Sequence, residues 1–102
     1  MNESLEKEYE DLIRIAQQAL ASGDFDVAEQ TILKAIESNS DDPNAIYTLS
    51  IVQRMKKDAS GAIVTLDKLI SAFPDFARAY QEKGINLLMV SDPQAAGVAL
   101  EK

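Results

Sequence analysis

Residues 16, 50 and 84 are Ala, Ser and Gly, three small side chains 34 positions apart, and this interval constrains the fold more than anything else in the chain. Other positions repeat with it. Ile46 falls in phase with Leu12 and Tyr80, Leu49 with Ile15 and Lys83, and Leu66 with Ile32 and Leu100. Ala62 falls in phase with Ala28 and Ala96, and Leu69 with Ala35. No insertion or deletion interrupts the register from residue 9 to residue 102. A fixed period of this length, with helical spacing and breakers at constant phase, marks an array of helix pairs. One such pair cannot bury its apolar face alone, so neighbouring pairs must stack.

The local signals place about six helices. Leu5, Tyr9, Leu12, Ile15, Ala16, Ala19 and Leu20 set a first helix over 3–21. Ser22-Gly23-Asp24 ends it, with Gly23 suited to a left-handed cap and Asp24 capping a second helix over 25–38. After the turn Asn39-Ser40-Asp41-Asp42, the pair Asp42-Pro43 starts a third helix that runs to about residue 56. Asp58 caps a fourth over 59–72, where Gly61 costs about 1 kcal/mol relative to Ala unless a close helix contact compensates or the helix starts late. Phe73-Pro74-Asp75 breaks the chain before a fifth helix over 76–90. Asp92-Pro93 then opens a short sixth helix reaching Lys102. The repeats are therefore 9–42, 43–76 and a truncated 77–102 within a single domain of residues 1–102, with 1–8 as an N-terminal helix extension. The last helix shows Val98, Ala99 and Leu100 with nothing after to cover them. Either the chain is a fragment of a longer array or a second copy covers that end, as in a homodimer. Ending in mid-repeat favours the fragment.

The spacing resembles the tetratricopeptide repeat (TPR). A large residue is followed by a large and a small one, then by a later alanine, a large residue four on, and a closing proline. The third copy fits best, with Tyr80, Gly84, Leu87, Ala96 and Leu100, and with Pro74 closing the unit before it. The chain departs where Ser40 stands in place of a proline, where Lys83 replaces a large apolar residue, and where the third unit lacks its last eight residues. The resemblance implies an all-α fold, an α-solenoid of stacked antiparallel helix pairs wound as a superhelix. It also implies that the first helix of each unit lines a concave, ligand-binding face. That face takes Glu10, Ile13, Arg14, Gln17 and Leu20 from the first unit. The second gives Asn44, Tyr47, Thr48, Ile51, Arg54 and Met55; the third gives Arg78, Gln81, Glu82, Ile85, Leu88 and Met89.

Tyr47 and Ile51, flanked by Arg14, Arg54 and Arg78, then form an apolar strip with a basic edge, suited to an extended peptide or amphipathic helix with some acidic residues. The competing reading is that Ile51, Ile85, Leu88 and Met89 are core or inter-repeat packing, with the arginines merely solvated. The repeats that clamp the C-terminal carboxylates of chaperones are not matched. Their positions carry Ile13, Gln17, Thr48, Arg78 and Glu82 here, and only Arg78 keeps a suitable charge. The run Pro74-Asp75-Phe76-Ala77-Arg78-Ala79-Tyr80-Gln81-Glu82-Lys83-Gly84 also resembles repeats that precede a sulfotransferase domain in some bacterial two-part proteins.

Composition narrows the function. A net charge of −7 opposes binding to nucleic acid, which needs a basic footprint. No Lys/Arg-rich stretch offers itself to an anionic membrane, and no apolar run approaches a membrane span. The chain has no cysteine and no histidine, hence no thiolate and neither the commonest general base nor metal ligand. Its four glycines are scattered and no nucleophile stands beside a base, so neither catalysis nor a cofactor is expected. The pairs Asp24/Asp26 and Asp41/Asp42 are better read as helix caps than as an acid–base or metal constellation. The acidic start, Met1-Asn2-Glu3-Ser4-Leu5-Glu6, is the reverse of a signal peptide, and a cytoplasmic protein is the simplest expectation. The function expected is a non-catalytic scaffold for a peptide or protein partner. The alternative is an N-terminal accessory or oligomerisation module of a larger, sulfotransferase-like enzyme.

Overall fold

The computed structural model describes residues 3–91. They form five helices, α1 (Glu3–Ser22), α2 (Phe25–Ser38), α3 (Pro43–Met55), α4 (Ala59–Ala72) and α5 (Ala77–Ser91), with no strand among the described residues. The expected limits of α2 and α4 coincide with those observed, and the other helix ends move by a residue at most. The expected sixth helix, with Pro93, Ala96 and Val98 to Leu100, lies outside the described residues, as does the question of what covers it. No helix of the described residues is long and apolar enough to cross a membrane.

The caps explain where the helices begin and end. The Asp24, Asp42 and Asp58 carboxylates accept from the backbone N–H groups of Val27, Asn44 and Gly61 at 3.4, 2.9 and 2.9 Å. Each satisfies one of the orphan donors of a first turn. Gly23 ends α1 with φ 83°, and Asp24 N–H donates to Ala19 O at 2.9 Å. Lys57 does the same for α3 with φ 71°, and Asp58 N–H donates to Gln53 O at 2.8 Å. Both are Schellman endings, and the two left-handed residues are in phase across the repeat. Gly61 proves to be the third residue of α4, because that helix starts at Ala59. What presses on it is the cap: a Cβ there would lie 2.8 Å from Asp58 Cγ.

Each helix packs on the next, and α1 also touches α3, as α3 touches α5, whereas α2 and α4 do not touch. The Tyr9 hydroxyl donates to Asp42, and Arg78 donates to Asn44. Both bonds tie the first half of one odd-numbered helix to the start of another or of its cap, so α1, α3 and α5 point the same way. Lys56, at the end of α3, reaches Glu29 near the start of α2, as short connections between antiparallel neighbours require. Ala16, Ile32, Ala35 and Ala45 form one buried cluster, with Tyr9, Leu12, Ile13, Ile36 and Leu49 against it. Leu66, Leu69 and Ala79 form a second, joined by Ile46, Tyr47, Ile70, Phe73 and Phe76. The in-phase small residues Ala16, Ser50, Ala28 and Ala62 are all fully buried. The third copy differs. Gly84 is exposed and a Cβ there would meet nothing within 4 Å, its expected counterpart Ala96 being outside the described residues. Tyr80, in phase with Leu12 and Ile46, stays half exposed and donates its hydroxyl to Pro74 O at 3.0 Å.

Candidate binding face

Side chains one period apart on the odd helices fall into rungs. These are Glu10, Asn44 and Arg78; Ile13, Tyr47 and Gln81; Gln17, Ile51 and Ile85; and Leu20, Arg54 and Leu88. Glu10, Asn44, Arg78, Gln17, Gln81, Ile85 and Leu88 are exposed, whereas Ile13, Tyr47, Ile51, Leu20 and Arg54 are half-buried. Met55 is exposed and Met89 half-buried. Ile13 and Tyr47 lean into the two core clusters, so they act as floor rather than as projecting contacts.

Thr48 and Glu82 do not belong to this face. Thr48 is 6% exposed and its hydroxyl donates to Asn44 O at 2.8 Å, and Glu82 is 3% exposed. Both lie on a stripe that sequence reasoning missed: Ala45, Thr48 and Val52 on α3, and Ala79, Glu82 and Asn86 on α5, all buried. The spacing of three and then four puts each trio on one side of its helix. The in-phase residues of α1 are Asp11, Arg14 and Gln18, none of them buried, because no helix precedes α1 in the described residues. The stripe is thus where one helix pair meets the one before. The pair of alanines Ala45 and Ala79 was the available signal.

The three arginines fare differently. Arg14 pairs with Asp11 at 2.6 Å on open surface, a contact of little energetic weight. Arg54 pairs through Nε with Glu82 Oε2, and its Nη2 lies 3.4 Å from Oε1. Asn86 Nδ2 donates to Glu82 O at 2.8 Å and to Glu82 Oε2 at 3.1 Å, while buried Asn86 Oδ1 has no partner among the described residues. Arg54 therefore serves a buried carboxylate and does not edge an open strip. The Arg78 guanidinium lies 4.9 Å from the Tyr47 ring centroid and 5.1 Å from that of Phe76, and donates to Asn44 Oδ1 at 2.8 Å. The two rings meet edge to face at 5.6 Å. No carboxylate of the described residues comes within ion-pair distance of Arg78. The basic edge contracts to this one residue.

Several other charges are committed to structure. Lys56 Nζ lies 2.8 Å from Asp26 and 2.7 Å from Glu29, bracing α3 against α2. Its hydrogen bond and charge hold the Asp26 carboxyl below the usual range. Burial, then the bond to Asp42, pushes the Tyr9 phenol well above its ordinary value. Asp24 and Asp42 act as caps, Asp26 as an ion-pair partner, and Asp41 donates its N–H to Asn39 Oδ1 at 3.1 Å. Two clefts of about 410 and 400 Å³ open at corresponding corners. Tyr9, Ser38 and Asn39 line the first, and Pro43, Ala72 and Phe73, their in-phase equivalents, line the second. They arise from the way each pair of helices meets and do not overlap the rungs apart from Glu10. The run Pro74 to Gly84 forms the turn into α5 and its first two turns. Comparison with protein-family models, curated proteins and solved structures finds no match.

Proposed function

We propose that the chain is a non-catalytic, TPR-like scaffold that binds a peptide or a partner helix on the face shared by α1, α3 and α5. The observation that carries the reading is the asymmetry of the helix contacts. Odd helices touch one another while α2 and α4 do not. The odd side of the stack is therefore the shorter side, and a stack with one short side curves with that side inward. A concave surface with an apolar floor (Tyr47 and Ile51) and an aromatic-backed guanidinium (Arg78) suits an extended or helical ligand.

The test is a peptide-display selection against the full chain, followed by affinity measurement for Ile51→Gln and Ile85→Ser. Both residues are at least partly exposed, so the variants should keep their helical circular dichroism. Loss of about tenfold or more in affinity is expected from each, the scale of an interface residue costing above 1 kcal/mol. Val64→Ser, on exposed α4, should leave affinity unchanged. Equal loss at Val64, or none at Ile51, refutes the face. Arg54 is a poor probe, since its removal strands buried Glu82.

A further inference from the structure

We propose that the cleft at the start of α1 takes a basic side chain, with an apolar neighbour, from a peptide partner; the site lies apart from the odd-helix face and does not depend on it. α1 begins at Glu3, whereas α3 and α5 begin at Pro43 and Ala77, the positions in phase with Tyr9. Residues 3–8 are thus about 9 Å of helix that the other odd helices lack. They supply part of the lining of the 410 Å³ cleft, which Ser38 and Asn39 complete from the end of α2. Leu5, Tyr9 and Leu12, spaced by four and three, run along it as one apolar stripe. Tyr9 and Leu12 rest on the first core cluster, and the Tyr9 hydroxyl is spent on Asp42. Leu5 stands beyond that cluster and is 65% exposed, the most of any large apolar side chain among the described residues.

The rim chooses the occupant. Glu8 lies within a turn of Leu5 and Leu12 on one flank of the stripe, and Glu6 and Glu10, four apart, lie on the other. None of the three is in an ion pair among the described residues, and no Lys or Arg lines the cleft. Lys7, which helical spacing turns away from the stripe, pairs with Asp11 at 3.8 Å. A lysine or arginine fits this arrangement, its methylene stem along the stripe and its head among the carboxylates. A leucine or phenylalanine beside it would cover Leu5. Two copies of the chain meeting cleft to cleft would instead bring like charges together. The corner one period on is lined by Phe73, Pro74 and Phe76 with one carboxylate, Asp75, and so lacks the charge to select a cation.

The experiment titrates the 15N-labelled full chain with acetyl-Leu-Lys-Phe-amide, which carries one cation and no carboxylate. Saturable shifts are expected at the backbone amides of Leu5 to Leu12 and of Asn39, with a Kd on the order of 1 mM. Raising salt from about 20 to 200 mM should weaken binding several-fold. Leu5→Ser, and Glu6→Gln together with Glu8→Gln, should each weaken it about fivefold or more; all three residues are exposed, so the variants keep their fold. Asp67→Asn removes a carboxylate from exposed α4 and should change nothing. Shifts without saturation, or equal shifts at Phe73 and Phe76, would overturn the site. Equal binding of acetyl-Leu-Glu-Phe-amide would remove the role of charge, and equal binding of acetyl-Ser-Lys-Ser-amide that of the stripe; either sinks the proposal. The same shifts on concentrating the chain alone would give the cleft to a second copy. Ile51→Gln, which tests the odd-helix face, should leave this binding intact, and a loss there would mean that the cleft is no separate site.

Discussion

Lys57 occupies a backbone conformation that its chemistry disfavours, and relieving it should stabilise the protein. Its φ of 71° is left-handed, and the residue one period earlier, Gly23 at φ 83°, shows what that position favours. A side chain in this region costs roughly 1–2 kcal/mol through the clash of Cβ with the backbone. Glycine escapes the clash but carries about 0.5–1 kcal/mol more conformational entropy in the unfolded chain. The difference gives Lys57→Gly a net gain of about 0.5–1 kcal/mol. The Lys57 side chain makes no hydrogen bond or ion pair among the described residues, so no contact term offsets the gain. Gly23→Ala is the mirror experiment, expected to cost about 1 kcal/mol. A Cβ at Gly23 meets nothing within 4 Å, so its penalty is purely one of backbone conformation. Urea unfolding followed by circular dichroism reads both. The midpoint should rise for Lys57→Gly and fall for Gly23→Ala at constant slope, and for a domain of this size each kcal/mol moves Tm by about 4–8 °C. A lowered midpoint for Lys57→Gly, or a neutral Gly23→Ala, would refute the strain argument.

Three further perturbations follow from the same geometry. Leu66→Ala, in the second cluster, should cost about 2–5 kcal/mol in urea unfolding, since Leu66 is fully buried and its cavity can collapse only in part. The Tyr9 phenol is raised in the fold, so its contribution is complete below its ordinary value of 10.0 and is lost as pH climbs through the folded value. Tyr9→Phe should flatten the fall in stability above pH 10, measured as midpoints across the alkaline range. Asp26 is lowered by Lys56, so its contribution is present above its ordinary 3.8 and is lost as pH falls through the folded value. Asp26→Asn should shallow the acid limb below pH 4 and, because Asp26 is also the main cause that raises Lys56 above its ordinary 10.5, shallow the alkaline limb as well.

Most of the backbone was legible because it is written in local signals. Asp-Pro, Ser-Gly-Asp and Phe-Pro-Asp announce helix ends, and the recurring alanines announce close helix contact. The left-handed Lys57 was not legible as such, because nothing about lysine marks it. Only the phase of Gly23 gives it away. The binding face was half legible. Phase places Asn44 beside Arg78, with Tyr47 one turn on, but it cannot tell an outward Thr48 from one turned into the preceding helix pair. Nor could it see that Arg54 and Glu82, 28 residues apart, spend their charges on each other. A glutamate is read as surface by default, since burying one alone is costly; its burial depends on a partner supplied by another unit.

That partnership bears on how the units are joined. The stripe that meets the preceding pair reads Ala45, Thr48 and Val52 at the first junction, but Ala79, Glu82 and Asn86 at the second. An apolar junction stabilises without fixing register strongly, whereas a charged one tolerates a single alignment, that which brings Arg54 onto Glu82. The second junction gives up stability for this. It buries a carboxylate and leaves Asn86 Oδ1 without a partner among the described residues, and an unmet buried acceptor costs about 1–3 kcal/mol. Arg54→Met alone should therefore destabilise by about 2–4 kcal/mol, somewhat under the range for a fully buried pair because the Arg54 side chain is 25% exposed. Writing the first stripe into the second, with Arg54→Leu, Glu82→Thr and Asn86→Val together, should restore the loss and match or exceed the original stability. Urea midpoints for the single and triple variants decide between the two views of this cluster. A triple variant as unstable as Arg54→Met would mean that the ion pair stabilises the junction outright, and the argument from register would fall.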